Sequence, residues 1–153
     1  MNTLDRVDLM ILDLLQENAR ISLKDIASKV YLTSPAVSAR IDKLERFGVI
    51  EGYHARINRK AFSLLIKAFI NVKMDPSRKT EFYEYVRNVG NVIQCDSVTG
   101  DYLIFLEVLF HDTGELDRFV DELQRFGETM TQIVFSSAVE HRGIPMAQTR
   151  AAS

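Results

Sequence analysis

The hydrophobic period of this 153-residue chain first changes near residue 64, and that change limits what the chain can fold into. Before it, apolar residues recur every three or four positions, the spacing of amphipathic helices; after it, stretches of strict alternation appear, the spacing of half-buried strands. A purely helical stretch followed by a mixed one reads as two small domains of an α+β chain. With 46% apolar residues there is enough material for a core in each.

Leu4, Val7, Ile11, Leu12 and Leu15 lie on one face of a first helix, which Asn18-Ala19-Arg20 closes. Ser22 and Asp25 have the spacing of a capping box, and Ile26, Ala27 and Val30 give a short second helix its buried side. Thr33-Ser34-Pro35 opens a third helix, with a hydroxyl as cap and proline in the first turn, where a missing N–H costs little. Val37, Ile41 and Leu44 face its core, and Gly48 suits a left-handed C-terminal stop. Val49-Ile50 and Tyr53–Ile57, flanking Glu51-Gly52, suit two short strands or a small wing.

Ile66, Ala68, Ile70, Val72 and Met74 then alternate with Lys67, Phe69, Asn71 and Lys73, as a strand with one more polar face would. Phe82, Tyr85, Val86 and Val89 return to helical spacing. Residues 92–98 and 103–110 read as strands around the turn Thr99-Gly100-Asp101-Tyr102. Leu116, Phe119, Val120 and Leu123 mark another helix, and Gln132 to Val139 a last strand. The order βαββαβ is the ferredoxin-like arrangement, an antiparallel sheet with both helices on one face. The expected division is a winged helix-turn-helix domain over 1–57, a linker over 58–64, the ferredoxin-like domain over 65–141 and a poorly packed tail over 142–153.

Charge divides along the same line. Residues 1–60 hold ten Lys/Arg against eight Asp/Glu, and the remainder nine against thirteen, so the basic part is the helical part. Two short helices joined by a tight turn, the second opening on Ser/Thr, form the pattern that places a second helix in the DNA major groove. On that helix Ser34, Pro35, Ser38 and Ala39 present small surfaces that let the backbone approach base edges. Arg40, Lys43 and Arg46 reach phosphates from the flanks, and Arg56 follows in the wing. The competing possibility is a solvated helix laced by ion pairs such as Asp42 with Arg46. In that case the second half would be the working part, a small-molecule-sensing or interaction module that does not bind DNA.

Other chemistry has little support. No apolar run approaches the roughly 18–20 residues of a membrane span, and with Asp5, Asp8, Asp13 and Glu17 in the first twenty residues no signal peptide is expected. The lone Cys95 cannot form an internal bridge, which fits a cytoplasmic protein. His54, His111 and His141 lack metal-ligand spacing, and no nucleophile elbow, P-loop or dinucleotide fingerprint occurs, so neither a metal, a cofactor nor an enzyme is expected.

Leu4-Asp5, Asp8, Ile11-Leu12 and Asn18-Ala19-Arg20, followed by Leu32-Thr33-Ser34-Pro35-Ala36-Val37, Arg40-Ile41, Leu44-Glu45, Gly48-Val49-Ile50 and Gly52-Tyr53, resemble the amino-terminal domain of the Lrp/AsnC, or feast/famine, regulators. A βαββαβ module with Val98-Thr99-Gly100-Asp101-Tyr102 between its central strands is similar to that family's effector domain, so the resemblance runs from about Leu4 to Glu140. It implies a prokaryotic, nucleoid-associated regulator that binds double-stranded DNA. It further implies a homodimer formed through the carboxy-terminal sheets, often assembled into octamers, that senses an amino acid between subunits. Thr99, Gly100, Asp101 and Tyr102 would be the effector-contacting segment, with backbone amides holding a carboxylate and an acidic side chain receiving an ammonium group. Leu103 stands where many members carry a further Asp.

Overall fold

A computed structural model describes residues 4–140 and 142–146. His141 and the end of the expected tail lie outside the described residues. The chain divides into two compact units: the residues up to Arg56 together with those from Val139 onward, and Ile57–Ala138.

The first unit holds three helices, α1 (Arg6–Glu17), α2 (Leu23–Val30) and α3 (Ser34–Arg46). Each starts where a side chain satisfies the amides left open at a helix N-terminus. Asp5 accepts from the Asp8 N–H at 2.9 Å while Asp8 accepts from the Asp5 N–H at 3.1 Å, a reciprocal capping box. Ser22 accepts from Asp25 N–H at 3.1 Å and Thr33 from Ala36 N–H at 3.4 Å. Ile11, Leu12, Ile26, Ala27, Val30, Val37 and Leu44 form the core, with Ile41 and Ile50 packed against it. Gly48 takes the left-handed backbone expected of it, at φ 67°.

Two expectations for this unit need correction. Residues 49–57 run as irregular chain without a strand ladder, so the two short wing strands do not form. Instead the Tyr53 hydroxyl donates to Glu45 Oε1 at 2.8 Å and ties the segment back to α3. Burial and this bond to a carboxylate push the Tyr53 phenol up to about 12. The chain beyond Val139 is also not a loose tail throughout. Gln16 donates to the Ile144 carbonyl at 3.1 Å and accepts from its N–H at 2.7 Å, Met146 packs on the three-helix core, and Glu140 pairs with Arg56.

The second unit begins with a short 3₁₀ turn, Arg59–Phe62, at the expected linker. Arg59 folds its guanidinium back onto the carbonyls of Leu64 and Leu65 at 2.6 and 2.9 Å. Strands β1 (Ile66–Met74), β2 (Val92–Ser97), β3 (Ile104–Phe110) and β4 (Gly127–Ile133) alternate with helices α4 (Lys79–Arg87) and α5 (Thr113–Gln124) in the expected βαββαβ order. The sheet is antiparallel with strand order β2-β3-β1-β4. Alternation puts Ala68, Ile70, Val72 and Met74 of β1 and Ile104, Leu106, Val108 and Phe110 of β3 on one buried face. Phe82, Val86, Leu116, Phe119, Leu123 and Phe126 from the helical side complete that core. On the other face Phe69 stacks on Phe105 with centroids 5.1 Å apart, and Lys67 pairs with Glu107 at 2.8 Å.

The last strand is Gly127–Ile133, five residues earlier at its start and six at its end than the expected Gln132–Val139. Glu128, Thr129, Thr131 and Gln132 make β4 polar, as suits an edge strand, and the apolar Ile133-Val134-Phe135 mark its end rather than its centre.

Candidate nucleic-acid interface

Recognition by a helix requires that one face be fixed by the core and the other left open. The α2–α3 turn is Tyr31-Leu32, and Leu32 N–H bonds the Ala27 carbonyl at 3.0 Å, closing α2 tightly before Thr33 caps α3. Val37 and Leu44 are fully buried, which fixes the rotation of α3. Pro35, Ala39 and Arg46 are then exposed and Ser34, Ser38 and Lys43 partly so, giving the small-residue entrance and cationic flank that the sequence leads one to expect.

The cations separate into two groups. Among the described residues no carboxylate lies within ion-pair distance of Lys43 or Arg46; Arg46 Nε only reaches the Asp42 carbonyl at 3.3 Å. The Asp42–Arg46 side-chain pair of the competing possibility is therefore absent there. Arg56 is held by Glu140. Arg40 departs most from expectation: its Nη1 donates to Asp5 at 2.7 Å and Asp8 at 2.6 Å, so its guanidinium joins α3 to the capping box of α1 instead of standing open to phosphate. Asp8 is the one charged core residue among those described, 2% exposed. The two carboxylates raise the Arg40 pKa; burial pushes Asp5 up, but the Asp8 N–H and Arg40 outweigh it and leave Asp5 below the ordinary value. Sequence reasoning missed this latch. The Asp-x-x-Asp spacing before an apolar run carries the cap, but no local signal names a partner over thirty residues away.

In the second unit Thr99, Gly100 and Asp101 are exposed at the β2–β3 turn, with Gly100 at φ 106° and Val98 N–H bonded to the Leu103 carbonyl at 2.9 Å. Tyr102 donates to Glu128 Oε1 at 3.2 Å, and desolvation and this carboxylate raise its phenol above the ordinary value. The turn and the neighbouring edge strand thus bring a backbone loop, Asp101 and a Tyr–Glu pair close together.

A three-helix unit with an open second-motif helix, followed by an antiparallel α/β unit with a glycine turn, defines a helix-turn-helix transcriptional regulator carrying a separate ligand-binding module. The profile for winged helix-turn-helix DNA-binding domains matches residues 4–51, and the Lrp/AsnC ligand-binding domain matches residues 67–144. The chain belongs to the Lrp/AsnC family. It is 31% identical to the HTH-type transcriptional regulator LrpA of Bacillus subtilis over 86% of this chain and 97% of that protein. A Neisseria meningitidis transcriptional regulator solved with L-Met superposes with a TM-score of 0.87 at 26% identity, covering 94% of this chain and 97% of its own. A Mycobacterium tuberculosis feast or famine regulatory protein solved with L-methionine gives 0.84 at 26% identity, over 92% and 97%. The family consists of transcriptional regulators, not enzymes. Among the described residues no helix is long and apolar enough to cross a membrane.

Proposed function

We propose that this protein binds double-stranded DNA through α3 of paired subunits and that a small amino acid or related zwitterion, held at Thr99–Tyr102 beside a subunit interface, adjusts that binding. The observation that carries the DNA reading is the cationic flank of partly exposed Lys43 and exposed Arg46 beside the small entrance Ser34, Pro35, Ser38 and Ala39. A single short helix spans few base pairs, and two-fold repetition over spaced half-sites supplies affinity and specificity. A homodimer is supported by the outer face of the sheet, where Phe69, Phe105 and the 42%-exposed Met130 leave apolar surface that a second copy would cover. Octamers are a further assembly of such dimers. The exposed turn needs a second surface to enclose a ligand, which favours an effector between subunits, and Leu103 restricts ammonium contacts to Asp101 and neighbouring groups. The DNA-binding part is taken as the unit up to Arg56 with the residues from Val139 onward, the effector part as Ile57–Ala138, and the setting as the prokaryotic cytoplasm.

The test is a Lys43→Ala/Arg46→Ala variant against a duplex selected by the wild-type protein from a random pool. Its affinity should fall about 10- to 100-fold, and the slope of log affinity on log salt should flatten by about 0.9 for each phosphate no longer neutralised. Thermal stability should stay within about 0.5 kcal/mol of wild type, because both side chains lie outside the core. Unchanged affinity and slope would remove α3 as the reading helix.

A further inference from the structure

The turn that delivers α3 carries a tyrosine on left-handed backbone. Tyr31 lies at φ 57°, ψ 41°, a region that suits Gly or Asn and is strained for a bulky side chain. Turns of this motif often use glycine for that reason. Burial of the ring would offset the strain, yet Tyr31 is 93% exposed, and among the described residues its side chain meets no hydrogen-bond or ring partner. The backbone bonds that shape the turn, from the Tyr31 and Leu32 N–H groups to the Ala27 carbonyl, need no side chain at position 31. Folding alone therefore gives no reason for a tyrosine here.

Strain held without internal compensation points to a contact outside the chain. Tyr31 stands two residues before Thr33, the cap of α3, and the N-terminal residues of that helix are the ones that approach base edges in a helix-turn-helix. A side chain projecting from the turn at this end lies beside the strand that borders the groove. A phenol is one of the side chains that donate to phosphate oxygens. We propose that Tyr31 is a DNA-contacting residue whose hydroxyl donates to a backbone phosphate flanking the α3 footprint. The proposal rests on the DNA reading of α3 and adds a contact to it. It also assigns a role to the turn: register along the duplex is fixed by an uncharged donor as well as by Lys43 and Arg46.

The test compares Tyr31→Gly, Tyr31→Asn and Tyr31→Phe with wild type in the full-length protein, reading thermal midpoint and anisotropy with the selected duplex. Gly and Asn relieve the left-handed strain, so their midpoints should equal the wild-type value or rise by up to about 5 °C. The Gly and Phe variants should bind about 5- to 10-fold more weakly, because each lacks the hydrogen bond to a charged acceptor; the Asn variant, whose amide can itself donate to phosphate, reads strain relief alone. The salt slope should stay unchanged because no cation is removed. Wild-type affinity in the Gly or the Phe variant overturns the hydroxyl contact, and a lowered midpoint in both Gly and Asn overturns the premise that the fold does not need this side chain. Failure of wild type to bind any duplex in a salt-dependent way is a separate result, which overturns the DNA reading and this contact with it.

Discussion

Arg40→Ala should lower the stability of the first unit by about 3 kcal/mol, near the lower end of the range for removing one partner of a buried ion pair. Asp8 is 2% exposed, and removing Arg40 leaves its carboxylate in the core with the Asp5 N–H as its one donor among the described residues. The value stays at the lower end because the Arg40 side chain keeps about a third of its surface in water, at 32%. Adding Asp8→Asn to the Arg40→Ala variant should recover part of the loss, since Asn keeps an acceptor for the cap but brings no charge that needs the guanidinium. The pH dependence follows from Asp5. Its folded pKa lies below the ordinary 3.8, so its contribution is present above that value and is lost as pH falls through the lower folded pKa. The gap between wild type and Arg40→Ala should narrow below about pH 4. Urea unfolding at pH 7 and pH 3.5 checks both statements. At temperatures where the variant remains folded, its DNA affinity should stay within about threefold of wild type, since the Arg40 guanidinium is already held by Asp5 and Asp8.

Gly127→Ala should be the most damaging single methyl group in the second unit. Gly127 opens β4 opposite Met74, and a Cβ there would sit 2.0 Å from the Lys73 carbonyl oxygen and 2.9 Å from its carbon. Those atoms belong to the backbone of a central strand, so no rotamer change relieves the clash; either β1 or β4 must leave the ladder. The expected loss is at least about 3 kcal/mol, the top of the usual range for overpacking. In a unit of this size that corresponds to a midpoint lowered by roughly 12 °C or more. Gly90→Ala provides the contrast, because its Cβ would meet nothing within 4 Å, and it should leave stability within about 1 kcal/mol of wild type. Calorimetry of the two variants separates the outcomes, and a Gly127→Ala midpoint equal to wild type would mean that β4 pairs differently with β1.

What was legible in the sequence was local. Thr33 and Pro35 mark the start of α3, Val37 and Leu44 its buried side, and the alternation from Ile66 to Met74 marks β1, because caps and periodicity act between near neighbours. The βαββαβ order follows from those elements in sequence. Edge strand β4 escaped because its residues are mostly polar on both faces, so the apolar residues at its end drew the expectation five or six places too far along the chain. The wing strands failed because Tyr53 and Ile50 are held by Glu45 and by the helical core, not by a strand partner. Sorting the cations needed distances: Arg40, Lys43, Arg46 and Arg56 look alike in sequence, but two are neutralised by Asp5, Asp8 and Glu140. The strain at Tyr31 is a backbone angle and has no sequence signal, since a tyrosine there reads as an ordinary turn neighbour.

The most direct test of the central claim, that α3 reads duplex DNA, is fluorescence anisotropy of the wild-type protein with a pool-selected duplex and an unrelated duplex across a salt series. The account predicts preference for the selected duplex by at least about 10³-fold, with affinity for both falling steeply as salt rises. Equal, weak binding to the two duplexes, or binding that ignores salt, would contradict it and leave the second unit as the working part of the protein.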